Sequence, residues 1–110
     1  MIAEAIVQLK SDYEVVLLDQ ERVENYLCDY PKLALILPQL VHSAQQLLGR
    51  QIQIILQAKE ELSDRHLDLI IRRHCYEGIS HALDPIILKC EELLKGKEGR
   101  IHVTTDLVPI

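Results

Sequence analysis

The chain has 110 residues, a formal net charge of −5 and a hydrophobic content of 48%, values typical of one folded domain. This hydrophobic content is too high for a disordered chain with so modest a charge. No apolar stretch approaches the roughly 20 residues that span a bilayer, and the N-terminus does not resemble a signal peptide. We therefore expect a single domain over 1–110, no membrane partner and a cytoplasmic location.

Cysteine and charge content exclude further classes of protein. Three cysteines without a CxxC pair argue against a disulfide framework and fit a reducing compartment. Acidic residues outnumber basic ones by 17 to 12, so the chain lacks the overall positive field that nucleic-acid binding uses. The run Arg72-Arg73-His74 before Tyr76 is weak evidence to the contrary, because strand alternation places Arg72 and Arg73 on opposite faces. Nucleic acid is disfavoured as a partner.

The first part of the chain combines a poorly defined segment with a well-defined helix. Residues 1–18 show helical spacing and then a short β-like run, and we predict a variable N-terminal arm there. Asp19 is a residue type that favours helix N-caps, and the apolar spacing after it predicts a helix from Gln20 to Tyr30.

Two longer helices are predicted, and each contains a proline. The first follows Pro31 and ends at Gly49, which suits a C-terminal cap. Because Pro38 lies inside it, we expect a kink or two short helices. The second covers 79–95, and Pro85 is expected to restart it.

Three segments alternate apolar and polar residues with a period of two, which predicts strands. They cover 51–58, a run that begins near His66, and 100–105. A short polar link joins the first two, so we expect these strands to form an antiparallel hairpin.

These elements predict an α+β fold with two layers, in the order α-α-β-β-α-β. A three-stranded, mainly antiparallel sheet would carry its helices on the face of Ile52, Leu67 and Val103. The right-handed crossover rule favours the third strand beside the first, while the alternative places it parallel to the second strand at the other edge. Residues 19–106 would form the core and 107–110 a tail.

Histidines and cysteines suggest a metal site only weakly. His74, Cys75 and His81 lie close together in the sequence, but zinc ligands usually come as two closely spaced pairs, and no second pair is present. We therefore predict no metal and no cofactor.

The polar sheet face offers the residues for an alternative function. A small hydrolase or a ligand- or metal-binding protein would use titratable side chains that converge there. The candidates are Asp68, Arg72, His74, Cys75 and His102.

Two apolar residues interrupt this polar face and predict a protein interface. Ile55 and Ile70 would approach each other across the hairpin, with Gln53, Gln57 and Arg72 around them. An apolar centre with a polar rim is typical of protein interfaces. The competing interpretation is that one of the chain termini folds over this spot.

Three segments resemble a known group of proteins. They are 18–26 (LDQERVENY), 30–33 (YPKL) and 99–106 (GRIHVTTD), and with the hairpin they cover residues 18 to 106. The chain is similar here to a loosely defined group of small uncharacterised bacterial and archaeal α+β proteins. Their genes often lie beside a partner gene in toxin–antitoxin-like pairs. The resemblance implies no catalytic residues and favours a non-enzymatic module that binds protein, either as a homodimer or with a second chain.

Overall fold

A computed structural model describes residues 2–49, 51–61, 64–74 and 79–108. Its helices and strands confirm the α+β class, but the predicted order lacked a helix and a strand that residues 2–18 supply. None of the described helices is long and apolar enough to cross a membrane. The elements are α1 (Ile2–Ser11), β1 (Val16–Leu18), α2 (Gln20–Asp29), α3 (Leu33–Leu48), β2 (Gln53–Glu61), β3 (Asp64–Arg72), α4 (Ile79–Leu94) and β4 (Ile101–Thr104).

The sheet has four strands in the order β1-β2-β3-β4 and is mixed. β1 is parallel to β2, β2 and β3 form the expected antiparallel hairpin, and β4 is parallel to β3. The prediction of a mainly antiparallel sheet with the last strand beside β2 is therefore wrong, and the alternative arrangement at the other edge is found. The crossover from β1 to β2 and the crossover from β3 to β4 both step in the same direction across the sheet, and their helices lie on the same face. Because β1 and β2 run antiparallel to β3 and β4, one crossover is right-handed and the other left-handed. The right-handed rule cannot hold for both.

The segment predicted as a variable arm is part of the folded core. α1 buries Ala5, Ile6 and Leu9 in the same apolar cluster as the other helices. β1 extends the sheet beside β2, and Gln45 of α3 donates a hydrogen bond of 2.8 Å to the Tyr13 carbonyl between them. Residues 2–18 therefore contribute to both layers.

Both long helices are continuous through their prolines, so the division expected as one alternative at Pro38 and the restart expected at Pro85 are not found. α3 contains Pro38 and α4 contains Pro85. A proline inside a helix costs about 3 kcal/mol, whereas each large apolar side chain that becomes buried contributes about 1.5–3 kcal/mol. The burial in α3 outweighs the cost, because its buried residues are Leu33, Ala34, Ile36, Leu37, Leu40, Val41 and Ala44.

The two predicted helix caps have different outcomes. Gly49 ends α3 with a φ of 85°, the left-handed region that favours glycine. Asp19 precedes α2, but its φ is 50° and its side chain makes no capping hydrogen bond. Its carboxylate instead pairs with Arg22 at 3.0 Å, while its carbonyl accepts the Arg22 amide.

Side chains of the sheet alternate between a helix-covered face and a helix-free face. Residues from all four helices share one core with the first set of strand residues, and no helix of the described chain packs against the second set. The covered set is Ile54, Leu56, Ala58, Leu67, Leu69, Ile71 and Ile101, all buried. The helix-free face consists of Val16, Leu18, Gln53, Ile55, Gln57, Lys59, His66, Asp68, Ile70, Arg72, His102 and Thr104.

Tyr26 of α2 forms hydrogen bonds with the chain where β3 and β4 begin. Its ring is buried in the core, and its hydroxyl donates to the Arg65 carbonyl at 3.1 Å and accepts from the Arg100 amide at 3.0 Å. Position 99, directly before Arg100, requires glycine. Gly99 has a φ of 94°, and an added Cβ would lie 2.7 Å from Leu33. This contact sets the position at which β4 begins.

Candidate functional site on the helix-free face

An apolar patch crosses the helix-free face from β1 to β3, and we define it as Val16, Leu18, Ile55 and Ile70. The strand register places Val16 beside Ile55 and Ile55 beside Ile70. The hairpin therefore brings Ile55 and Ile70 together as the sequence predicted. However, they are only 3% and 9% exposed, whereas Val16 is 39% and Leu18 41% exposed. The accessible part of the patch lies on β1, where no site was expected.

Polar side chains border the patch. Gln53 lies opposite Arg72 and Gln57 lies opposite Asp68, so these predicted rim residues do flank Ile55 and Ile70. Arg72 donates to both carboxylate oxygens of Asp106, with a shortest distance of 2.6 Å, and to Gln53 at 3.4 Å. Hydrogen bonds from Arg72 lower the pKa of Asp106 below 3.8. The rim therefore combines one ion pair, Arg72 with Asp106, with neutral amide side chains.

The described ends of the chain leave the exposed part of the patch open. α1 packs on the helix-covered side, so residues of the N-terminus do not lie over Ile55 and Ile70. At the other end, Asp106 binds Arg72 on this face, Leu107 and Val108 are 60% and 44% exposed, and residues 109 and 110 lie outside the described residues. Burial of the two isoleucines therefore does not come from α1.

A second group of side chains lies where β3 meets β4, and we call it the histidine corner: His66, Asp68 and His102. His66 is 7% exposed, and its Nε2 lies 3.0 Å from Oδ1 of Asp68. The ring of His102 stacks on that of His66, with ring centres 4.0 Å apart. Asp68 and His102 are direct neighbours in the strand register. Alternation along β3 and the parallel pairing with β4 bring these residues to one face.

Two further charged residues surround the histidine corner. Nδ1 of His66 lies 3.4 Å from a carboxylate oxygen of Asp64, yet it is buried without a hydrogen-bond partner. Arg100 pairs with the other oxygen of Asp64 and places Nη2 3.1 Å from Nε2 of His102. Since the guanidinium is always protonated, it donates to His102.

One nitrogen or oxygen of each residue in the histidine corner lies within 4.8 Å of the others, so the three side chains could hold a metal ion. The sequence analysis singled out Asp68 and His102 but missed His66. The spacing His66-x-Asp68 on a strand was the available signal, because residues two apart share a face. Pairing with His102 depends on β4 lying beside β3, which the preferred topology did not include.

The other sequence-predicted residues do not join this group. Arg72 lies further along β3 and binds Asp106. His74 is exposed beyond the end of β3, and His81 is exposed on α4. Cys75, like Tyr76, lies outside the described residues.

Cys90 is a buried thiol with no sign of reactivity. It lies in α4, is 3% exposed and donates to the Ile101 carbonyl at 3.6 Å. Burial, with a smaller contribution from Glu91, raises its pKa to about 11. This thiol stays protonated at neutral pH and serves packing.

Comparison with protein-family models, curated proteins and solved structures found no match for this chain. The resemblance to toxin–antitoxin-like pairs therefore remains a prediction. The exposed apolar residues of the helix-free face are the observation that bears on function.

Proposed function

We propose that this protein is a non-enzymatic protein-interaction module that forms a homodimer through the helix-free face. One observation carries the proposal: Val16 and Leu18 are exposed on a sheet face that no described helix covers, beside the buried pair Ile55 and Ile70. Exposed apolar area next to a polar rim is the composition of a protein interface. Two such sheets can pack face to face with their strands about 30° apart and share the patch.

The charges of the rim favour a second copy of this chain as the occupant. Arg72 and Lys59 carry positive charge on this face, and Asp68 and Asp106 carry negative charge. A two-fold axis presents the same surface to itself, so a surface with both signs can pair opposite charges. A partner of one dominant charge would meet repulsion from half of these groups.

The exposed area is small enough to predict a weak dimer. Covering the remaining exposed fraction of Val16 and Leu18 contributes about 1 kcal/mol each, hence about 4 kcal/mol for two copies. Association itself costs about 4–15 kcal/mol. Contacts of the rim must supply the surplus, and we expect a dissociation constant in the micromolar to millimolar range, about 10 μM or weaker.

Sedimentation equilibrium over a wide concentration range tests the proposal. We expect the wild type to change from monomer to dimer as its concentration rises, while Leu18→Glu stays monomeric, because dimerisation would bury its charge. Val7→Glu is the matched control, since Val7 is 61% exposed on α1 and lies away from the patch. This variant should dimerise like the wild type.

Circular dichroism spectra of both variants establish that they remain folded. Dimers of Leu18→Glu as stable as those of the wild type would place the interface elsewhere. A wild type that stays monomeric at millimolar concentration would refute the homodimer and leave a second chain as the partner to seek.

A further inference from the structure

We propose that the histidine corner is a binding site for a divalent transition-metal ion of the Zn²⁺ class. This departs from the sequence-based expectation of no metal. It shares Asp68 with the rim of the proposed dimer, but its three side chains lie at the β3–β4 edge and the exposed apolar residues lie on β1, so each proposal has its own test.

The donor atoms suit such an ion in type and spacing. Imidazole nitrogen and carboxylate oxygen bind Zn²⁺ at about 2.0–2.2 Å in a tetrahedral arrangement, so two ligands lie about 3.3–3.6 Å apart, a few tenths of an ångström more than the separation found here. Nε2 of His66 and Oδ1 of Asp68 are 3.0 Å apart. His102 offers a nitrogen within 4.8 Å of these two atoms, and its ring, stacked on that of His66, rotates to bind a shared ion. Two nitrogens in a set of three donors favour Zn²⁺, Co²⁺ or Ni²⁺ over Mg²⁺ and Ca²⁺.

The buried ring of His66 gives independent support. When its Nε2 carries the proton and donates to Asp68, the lone pair of Nδ1 faces the Asp64 carboxylate at 3.4 Å and has no donor. A metal ion bound at Nε2 places the proton on Nδ1 instead, where it can be donated to Asp64. This is the carboxylate–histidine–metal arrangement that orients metal ligands in many sites. The ion would therefore satisfy a polar atom that the unliganded ring leaves unpaired.

Arg100 is a positively charged side chain that competes with a metal ion for His102 and Asp64. Its guanidinium contacts both His102 and Asp64, and its side chain is 58% exposed. Because the side chain is long and solvated, it can move into solvent when an ion takes its place. Lys59, opposite His66, adds a second positive charge, and Asp64 and Asp68 balance the two. When Arg100 moves away, the remaining three charges are negative overall, which favours a metal cation in its place.

Isothermal titration calorimetry of the full-length, tag-free chain with ZnCl₂ tests the site. We expect one ion per chain for the wild type. Asp68→Asn and His102→Ala should each lower the affinity by about 100-fold or more, since loss of groups that only orient ligands already costs 10–100-fold. His42→Ala and His81→Ala are matched controls, because both histidines are exposed and lie outside the histidine corner. Their affinities should equal that of the wild type.

Arg100→Ala gives a change in the opposite direction. Removal of the positive charge that contacts His102 and Asp64 should tighten Zn²⁺ binding by about fivefold. Affinity should fall as the pH is lowered, because protons compete for the histidine nitrogens. MgCl₂ and CaCl₂ at equal concentration should give no heat of binding.

Thermal unfolding with and without ZnCl₂ shows whether a variant that fails to bind is folded. Saturating Zn²⁺ should raise the Tm of the wild type and of His42→Ala but not that of Asp68→Asn. No binding by the wild type, or equal affinity in wild type and Asp68→Asn, would refute the site, the latter showing an adventitious ion only. The same titration on Leu18→Glu separates the two proposals, because a monomer should still bind one ion.

Discussion

Leu56 and Ile55 are neighbours in β2, and both are buried, but they face opposite sides of the sheet. Leu56 points into the core shared with all four helices and is 0% exposed. Ile55 points to the helix-free face, where its cross-strand neighbours are Val16 and Ile70. Ile55 is therefore buried outside the core that the four helices share. The difference separates the face that packs against the helices from the face that no described helix covers.

Truncating each of these neighbours to alanine should lower the stability by large but unequal amounts. Leu56→Ala opens a cavity inside a two-layer core, and we expect the free energy of unfolding to fall by about 3–5 kcal/mol. Ile55→Ala should cost about half as much, because Ile55 lies outside the core that the helices share and the surrounding side chains can collapse into its space. Urea denaturation followed by circular dichroism measures both values. Equal losses would show that the helix-free face is as closely packed as the core.

Ile55→Glu sharpens the same contrast. The interface prediction from sequence implies that this variant folds as a monomer. With Ile55 only 3% exposed, we expect it to unfold instead, since a buried carboxylate without a partner is costly. Leu18→Glu at 41% exposure should fold. If Ile55→Glu has the circular dichroism spectrum of the wild type, the helix-free face is more open than the structure shows.

Tyr26→Phe tests how the helix layer is attached to the sheet. Loss of the hydroxyl removes a donor to the Arg65 carbonyl and leaves the Arg100 amide without its acceptor. We expect a loss of about 1–3 kcal/mol in the free energy of unfolding. Tyr30→Phe is a suitable control, because Tyr30 is half-buried and stacks on Tyr26 at 4.9 Å. A similar loss in both variants would show that the hydrogen bonds of the Tyr26 hydroxyl make no specific contribution.

Alkylation of cysteines compares a buried thiol of the helix layer with an exposed one. Cys90 is buried between α4 and β4 with a pKa of about 11, whereas Cys28 is exposed on α2. Because the thiolate is the reactive form, iodoacetamide at pH 8 should label Cys28 and leave Cys90 unlabelled until urea unfolds the chain. Peptide mass spectrometry identifies the labelled positions. Rapid labelling of native Cys90 would indicate local opening of α4.

The smallest effect concerns the rim of the helix-free face. Hydrogen bonds from Arg72 lower the pKa of Asp106 below 3.8 in the folded chain. The stabilisation from this pair is therefore present above pH 3.8 and is lost as the pH falls through the folded-state pKa. In Arg72→Ala the Asp106 pKa should return toward 3.8, which a carboxyl NMR titration detects. An unchanged pKa would assign the shift to the backbone amides instead.

Local patterns predicted the hairpin better than the sheet around it. Alternation in 51–58 and from His66 onward separates the two faces, and with a short link it fixes the register that pairs Ile55 with Ile70. The pairing of β1 with β2 depends on residues about 40 positions apart, which no local periodicity encodes. The three residues of β1 are too few to show a period. The exposed part of the candidate interface was missed for this reason.

The histidine corner was partly predictable. Asp68 and His102 were recognised as polar residues of one face, and His66 had the spacing that adds it to them. Sequence spacing does not show which strand β4 lies beside. A histidine on an edge strand becomes a ligand only when the correct strand lies beside it.

The unequal strands also have a consequence for the order of folding. β2 and β3 pair over nine positions through a connection of two residues, whereas β1 and β4 join them only by way of long helical crossovers. Closing a short loop costs less entropy, so the central hairpin should form first and its amide protons should exchange most slowly. When an outer strand detaches, the long ladder of β2 or β3 becomes an open edge on which another chain can add. The short outer strands therefore cover part of the edges of β2 and β3 on which another chain could add.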